Sequence, residues 1–245
     1  MQKWGDNLID LPIKQGVLYF NNNSNLDMNL YITDYPEISL NNEVYEEQPI
    51  EGRNGSLYID LNYYKDRKLD FSFDLRGSNL TEKLYEIKKW LNNVNDNRLI
   101  FNNDKCYLVK KVILTSFTQT AVNLGEVELS FIVDPFLYDY EETTIASTNK
   151  SFNVYNTGSY AADTLIKIYG SGNIQISCNG ETMQIDNVSN YVLLDSKAME
   201  CIDSNGVSKD WDTIGNYIKL DVGDNTIKLT GTVTKTEITY RETYL

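Results

Sequence analysis

Leu69-Asp70-Phe71-Ser72-Phe73-Asp74-Leu75 alternates apolar and polar residues without a break. Successive side chains of a strand point to opposite faces, so Leu69, Phe71, Phe73 and Leu75 share one face, while Asp70, Ser72 and Asp74 share the other. A strand of this kind buries one side against a core and wets the other, which is the habit of antiparallel sheets. Working outward, Glu126 to Val133 repeats the pattern, with Val127, Leu129, Phe131 and Val133 inward. Cys106 to Leu114 predicts a third strand, longer and more apolar.

Between these strands the period changes. Leu80, Leu84, Ile87, Leu91 and Val94 recur at helical spacing, with Glu82, Lys83, Glu86, Lys88 and Lys89 on the other faces. This predicts one amphipathic helix over 79–94. Asn79 and Glu82 fit a capping pair at its start, and the asparagine-rich Asn92 to Asn97 marks its end.

From Glu141 the texture shifts. Glu141 to Lys150 is polar and low in aromatics, and reads as a linker or domain-edge loop. Beyond it short strands recur with turn signals and no useful helical period. Ile174 to Cys178 runs into Asn179-Gly180 and then Glu181 to Ile185; Asn-Gly between alternating runs signals a two-residue hairpin, whose turn needs positive φ twice. Tyr217 to Leu220, a turn at Val222 to Asn225, Thr226 to Leu229, and Val233 to Tyr240 complete a set expected to form a β-sandwich.

The composition narrows the chemistry. The 245 residues carry a net charge of −13, and the longest basic clusters, Lys88-Lys89 and Lys110-Lys111, are too short for a phosphate-binding stripe. No histidine is present, which removes Ser-His-Asp and Cys-His mechanisms and every His-ligated metal site. Cys106, Cys178 and Cys201 are widely spaced and odd in number, and are expected as reduced, buried thiols. Asp6 and Asp10 stand where a secretory signal would have its apolar core, and no run approaches a membrane span.

Several local motifs have a plain structural explanation. Glu46-Glu47 and Glu141-Glu142 are neighbours that a strand would point apart, so neither pair can flank one glycosidic bond. Asp203-Ser204-Asn205-Gly206 and Asp221-Val222-Gly223-Asp224 lack the spacing of a calcium loop and match turn chemistry. Gly52-Arg53-Asn54-Gly55 lacks the Lys-Ser/Thr and the helix of a phosphate loop. It lies between strand-like Glu43–Ile50 and Ser56–Ile59, so it reads as a hairpin turn with positive φ at Gly55. Arg53 paired with a carboxylate, buried or at an interface, is a reading that can hold beside that one. Tyr63, Tyr64, Tyr138, Tyr140, Tyr155, Tyr160 and Trp211 suit interface or core roles better than sugar stacking.

In order along the chain, these stretches resemble the siphophage distal tail (Dit) proteins. Ile50 to Leu57 followed by Tyr63-Tyr64-Lys65-Asp66-Arg67, the helix ending in Trp90-Leu91, Leu99-Ile100-Phe101, and Val133-Asp134-Pro135-Phe136-Leu137-Tyr138 are similar to that family's N-terminal domain. Asn156-Thr157-Gly158 through Ile166 to Gly170, Gly223 to Ile227, and Glu237 to Arg241 are similar to its galectin-like domain. Asp163 stands where relatives often carry proline. The resemblance implies a mostly β protein. An N-terminal antiparallel β-domain with one helix would span 1–140, and a galectin-like β-sandwich 141–245, without inserted carbohydrate-binding modules.

It also implies a structural role in the virion, at the distal end of the tail. Six copies would form a ring through the N-terminal domain, joining the tail tube protein to the tail-associated hub protein and to receptor-binding proteins. DNA would pass through without specific binding. Arg53, Gly55, Tyr64, Asp134 and Pro135 are the family-motif and assembly candidates. No catalytic residue, cofactor, metal or membrane contact is expected. The rival function is a carbohydrate-binding adhesin using the C-terminal sandwich, although the galectin sugar site relies on histidine, which this chain lacks.

Overall fold

A computed structural model describes residues 16–38, 43–101 and 105–245, so the reading of Met1 to Leu11 lies outside the described residues. Contacts divide the chain into two compact units, 1–137 and 138–245. Among the described residues the architecture is mostly β, with one α-helix and antiparallel sheets.

In the first unit the elements are β1 (Leu18–Phe20), β2 (Asn23–Ser24), β3 (Leu30–Asp34), β4 (Glu43–Pro49), β5 (Ser56–Tyr64), β6 (Arg67–Arg76), α1 (Leu80–Asn92), β7 (Arg98–Phe101), β8 (Lys105–Ala121) and β9 (Leu124–Val133). The main sheet runs in the order β2-β1-β7-β8-β9-β6-β3, and β4 with β5 forms a separate two-stranded ribbon. The quoted heptapeptide forms most of β6. Its four apolar side chains are at most 1% exposed and lie opposite Phe131, Leu129, Val127 and Gly125 of β9.

Edge-to-face aromatic contacts knit this core: Phe20 to Phe131 at 5.3 Å, Phe71 to Phe101 at 5.0 Å and Phe71 to Phe131 at 5.8 Å between centroids. Helix α1 closes it with Leu80, Ile87, Trp90 and Leu91, while Leu84 is only half-buried and Val94 lies past the helix end, exposed. The indole Nε1 of Trp90 donates to the Phe20 carbonyl at 2.9 Å. Asn79 does not cap the helix as expected. Its backbone is left-handed (φ 56°), which turns the side chain from the first-turn amides, and its amide donates to the Glu82 carboxylate at 2.5 Å. The other end is held from a distance. Asn21, buried, donates to the carbonyls of Trp90 (2.7 Å) and Asn93 (2.8 Å) and accepts from the Asn95 amide (2.8 Å).

The next strand is β10 (Leu137–Asp139), at the boundary of the units. The second unit then contains β11 (Thr143–Ser147), β12 (Ser151–Asn156), β13 (Ala162–Cys178), β14 (Glu181–Val188), β15 (Tyr191–Asp195), β16 (Glu200–Asp203), a single 3-10 turn at Asp210–Asp212, β17 (Thr213–Gly215), β18 (Lys219–Leu220), β19 (Gly223–Tyr240) and β20 (Thr243–Tyr244). The Asn179-Gly180 hairpin joins β13 to β14 with φ of 51° and 92°, the two positive values its sequence requires.

Three sequence expectations are corrected here. Thr226 to Leu229 and Val233 to Tyr240 are not separate strands but parts of β19, and Ile166 to Gly170 and Ile174 to Cys178 are both within β13. The two long strands pair along most of their length, with register breaks after Tyr169 and Ser171. Gly231 sits at the bend with φ 91°, where a Cβ would come within 2.3 Å of the Asn173 carbonyl oxygen. On either side of these breaks, Ile166 and Ile168 share one core with Ile174, Ile176, Ile227, Leu229 and Ile238. The polar signals at the bend therefore mark irregularities inside strands rather than turns between them. Second, Glu141 to Lys150 is not purely a linker: Thr143–Ser147 pairs with Thr236 to Tyr240 of β19, because threonines suit a sheet edge and Ile145 packs on the core. Third, only Lys219–Leu220 of the expected Tyr217 to Leu220 strand is paired as such.

Candidate assembly interface

Among the described residues, the β4–β5 ribbon is left largely uncovered. Its two strands pack mainly on one another, and nearly every residue in them is exposed. Nine residues of β5 at the usual rise give an arm of roughly 30 Å. Its tip is set by sequence: the Arg53 amide donates to the Ile50 carbonyl at 3.2 Å, and Gly52 (φ 79°) takes the positive φ that a type II turn puts at its third residue. Gly55 follows with φ 86°.

The pairing register sorts the arm into two faces. Tyr45, Glu47, Pro49, Tyr58 and Asp60 lie on one, where the rings of Tyr45 and Tyr58 meet edge to face at 5.5 Å. The charge of Glu47, with a hydrogen bond to it, pushes the Tyr58 hydroxyl pKa up. Leu57 and Ile59 lie on the opposite face between Glu46 and Gln48, and are 44% and 39% exposed. Toward the base, Asn62 is left-handed and the register slips by a bulge, with Leu61 and Tyr63 also exposed. Aliphatic side chains left in water on one face and tyrosine rings on the other are a cost that burial against a partner removes.

At its base the arm is anchored. Tyr64 packs edge to face on Phe136 at 5.3 Å. Lys110 of β8 reaches Asp66, just past the arm, at 2.6 Å and the buried Asp134 at 2.9 Å. Partial burial works to lower the Lys110 pKa, but the two carboxylates outweigh it and hold it above the ordinary lysine value. The Asp134 amide donates to the Leu108 carbonyl at 2.9 Å, which fixes the Asp134-Pro135 turn against β8.

The five candidates from the sequence thus fall into two groups. Tyr64, Asp134 and Pro135 lie in or beside the anchoring cluster, whereas Arg53 and Gly55 lie at the far tip. Arg53 is exposed and makes no ion pair among the described residues, so the paired-arginine reading does not hold within one chain. Sequence reasoning missed Leu57, Ile59 and Tyr58, although their alternation is visible, and it missed Lys110, whose partners are 44 and 24 positions away in sequence.

In the second unit the surface groups that could serve a ligand are largely satisfied by one another. Lys167 sits over the rings of Tyr191 (4.0 Å) and Tyr169 (5.0 Å), and Glu237 accepts from Lys235 at 2.5 Å and from the Tyr169 hydroxyl at 3.2 Å. The Asp203 to Gly206 stretch is a turn, with the Asp203 carboxylate accepting from the amides of Asn205 (2.8 Å) and Val207 (2.9 Å). Among the described residues no group of His, Cys, Asp or Glu could hold a metal, and no helix is long and apolar enough to cross a membrane. Cys106, Cys178 and Cys201 are buried and form no disulfide.

No family model matches this sequence, and no curated protein matches it. The fold does match a solved structure. The Dit protein (gp 19.1) of phage SPP1, described as a paradigm of the hub adsorption apparatus in phages infecting Gram-positive bacteria, aligns at a TM-score of 0.71. The alignment covers 94% of this chain and 99% of that one, at 16% identity. The chain therefore has the fold of a distal tail protein over nearly its whole length.

Proposed function

We propose that this chain is a structural component of a phage tail tip or baseplate, at the distal end of the tail. In this reading six copies form a ring that joins the tail tube protein to the tail-associated hub protein and to receptor-binding proteins. The uncovered β4–β5 arm carries the reading. It is a two-faced apolar and tyrosine-rich ribbon, anchored at its base, on a fold shared with a protein of a phage adsorption apparatus. A ring requires a heterologous interface, in which a patch on one copy meets a different patch on the next. A projecting arm supplies such a patch, because it reaches beyond its own domain.

The net charge of −13 suits a passage for DNA, since an acidic lining has no affinity for phosphates. It also opposes association of the copies, so assembly is expected to strengthen with salt. The role is non-enzymatic, and the second unit sits on the outside of the ring. Negative-stain imaging of the purified protein, alone and with the hub protein, tests this: closed six-fold rings are expected. Monomers under every condition, or cell-wall zymograms showing a clearing that one Asp or Glu substitution abolishes, would contradict it.

A further inference from the structure

Trp211 is 100% exposed, the most exposed large apolar side chain among the described residues. It does not stand alone. Met199 (69%), Ile214 (67%) and Val207 (60%) are the next most exposed apolar side chains of the second unit, and all four fall within residues 199–214.

The backbone beneath Trp211 is tightly fixed. The Lys209 amide donates to the Cys201 carbonyl at 2.7 Å, and the Cys201 amide donates to the Asp210 carboxylate at 2.8 Å. The Asp212 amide and the Thr213 hydroxyl close the turn on the carbonyls of Lys209 and Asp210, both at 2.8 Å. Lys209 Nζ binds the Asp212 carboxylate at 2.7 Å and the Asn187 carbonyl at 3.2 Å. A turn already held in this way loses little backbone freedom on binding, which favours the residue it presents as an anchor.

Two features indicate what would cover it. The segment carries Glu200, Asp203, Asp210 and Asp212 against one cation, Lys209, and that cation is already neutralised by Asp212. The segment is therefore acidic. β17, directly after the turn, ends the strand order of its sheet, so one of its edges is open to further main-chain pairing. A sugar platform would need polar groups free to meet hydroxyls. Here Asp210 already accepts from the Cys201 amide and the Ser208 hydroxyl (2.8 Å each), and the exposed side chains Met199, Val207 and Ile214 offer no hydrogen bond.

We propose that the Asp210–Asp212 turn presents Trp211 as the anchor of a docking surface for a protein partner, one whose receiving pocket is apolar and rimmed by lysine or arginine. The proposal does not depend on the ring. It is tested by panning a yeast-displayed random dodecapeptide library against the full chain and against Trp211→Ala. The wild-type protein should enrich peptides that combine apolar residues with Lys or Arg. Synthetic winners should bind Trp211→Ala about 30-fold more weakly or worse, the level of an interface anchor, and more weakly as salt rises. Trp211→Phe should retain part of the binding, and both variants should melt like the wild type. An absent or acidic consensus, or winners indifferent to Trp211→Ala, would overturn the proposal. So would glycan-array binding, or self-association of the chain, that Trp211→Ala abolishes.

Discussion

Strands β5 and β6 follow one another across Lys65-Asp66 and carry related patterns, yet one is the centre of a core and the other stands in water. In β6, Leu69, Phe71, Phe73 and Leu75 are at most 1% exposed, because β3 and β9 flank the strand and the rings of Phe101 and Phe131 cover it. In β5, Leu57 and Ile59 also share a face but remain 44% and 39% exposed, with β4 alone paired beside them among the described residues. The difference lies in the supply of cover. Periodicity tells which face of a strand wants burial, but not whether the same chain buries it.

The largest expected effect tests that contrast directly. Phe71→Ala should lower stability by about 3–5 kcal/mol, the usual cost of emptying a large aromatic site in a core. The double variant Leu57→Ser/Ile59→Ser should stay within about 0.5 kcal/mol of wild type in the unassembled chain, as surface changes do. Urea melts at low protein concentration measure both. An arm variant that loses as much as Phe71→Ala would show the arm to be packed, and the contrast would fail.

A smaller loss is expected at Asn21, which is buried and whose side chain bonds Trp90 in α1 and Asn93 and Asn95 just beyond it. Asn21→Ala should cost about 1–3 kcal/mol, the range for leaving buried polar partners unpaired. Hydrogen exchange should quicken first around Trp90 to Asn95; unchanged protection there would remove Asn21 as the clasp.

The smallest effect near neutral pH concerns the thiols of the second unit. Burial raises Cys178 and Cys201 from 9.0 to about 11. A raised thiol pKa means that the folded state holds its proton more tightly than the unfolded state. The associated stability is therefore complete below about 9 and is lost as pH rises toward about 11. Neither thiol should react with a thiol reagent in the native protein at neutral pH, and both should react in urea; rapid native labelling would show that the core opens.

Much of this structure was legible in the sequence, for identifiable reasons. β6, β9 and α1 each bury a single face, so period alone reveals them, and Asn179-Gly180 has a backbone requirement that few residues meet. What stayed hidden depends on partners distant in sequence. Thr143–Ser147 reads as linker because its strand character comes from pairing with β19, nearly a hundred residues later. Asn21, Asn25 and Asn156 carry no pattern and Asn225 reads as a turn former, yet all four are buried and hold backbone carbonyls through their side-chain amides. At the candidate interface, Gly55 follows from turn chemistry, but the Lys110 clamp on Asp66 and Asp134 requires the fold. Arg53 makes no ion pair among the described residues, so its role is not legible from one chain.

The central claim is that the arm is completed by another copy. Light scattering after gel filtration, across protein concentration and salt, compares the wild type with Leu57→Ser/Ile59→Ser. The wild type should reach a closed six-copy mass as concentration and salt rise, while the variant stays monomeric with an unchanged melt. A wild type that remains monomeric even with the hub protein present, or a variant that assembles as well as the wild type, would contradict the account.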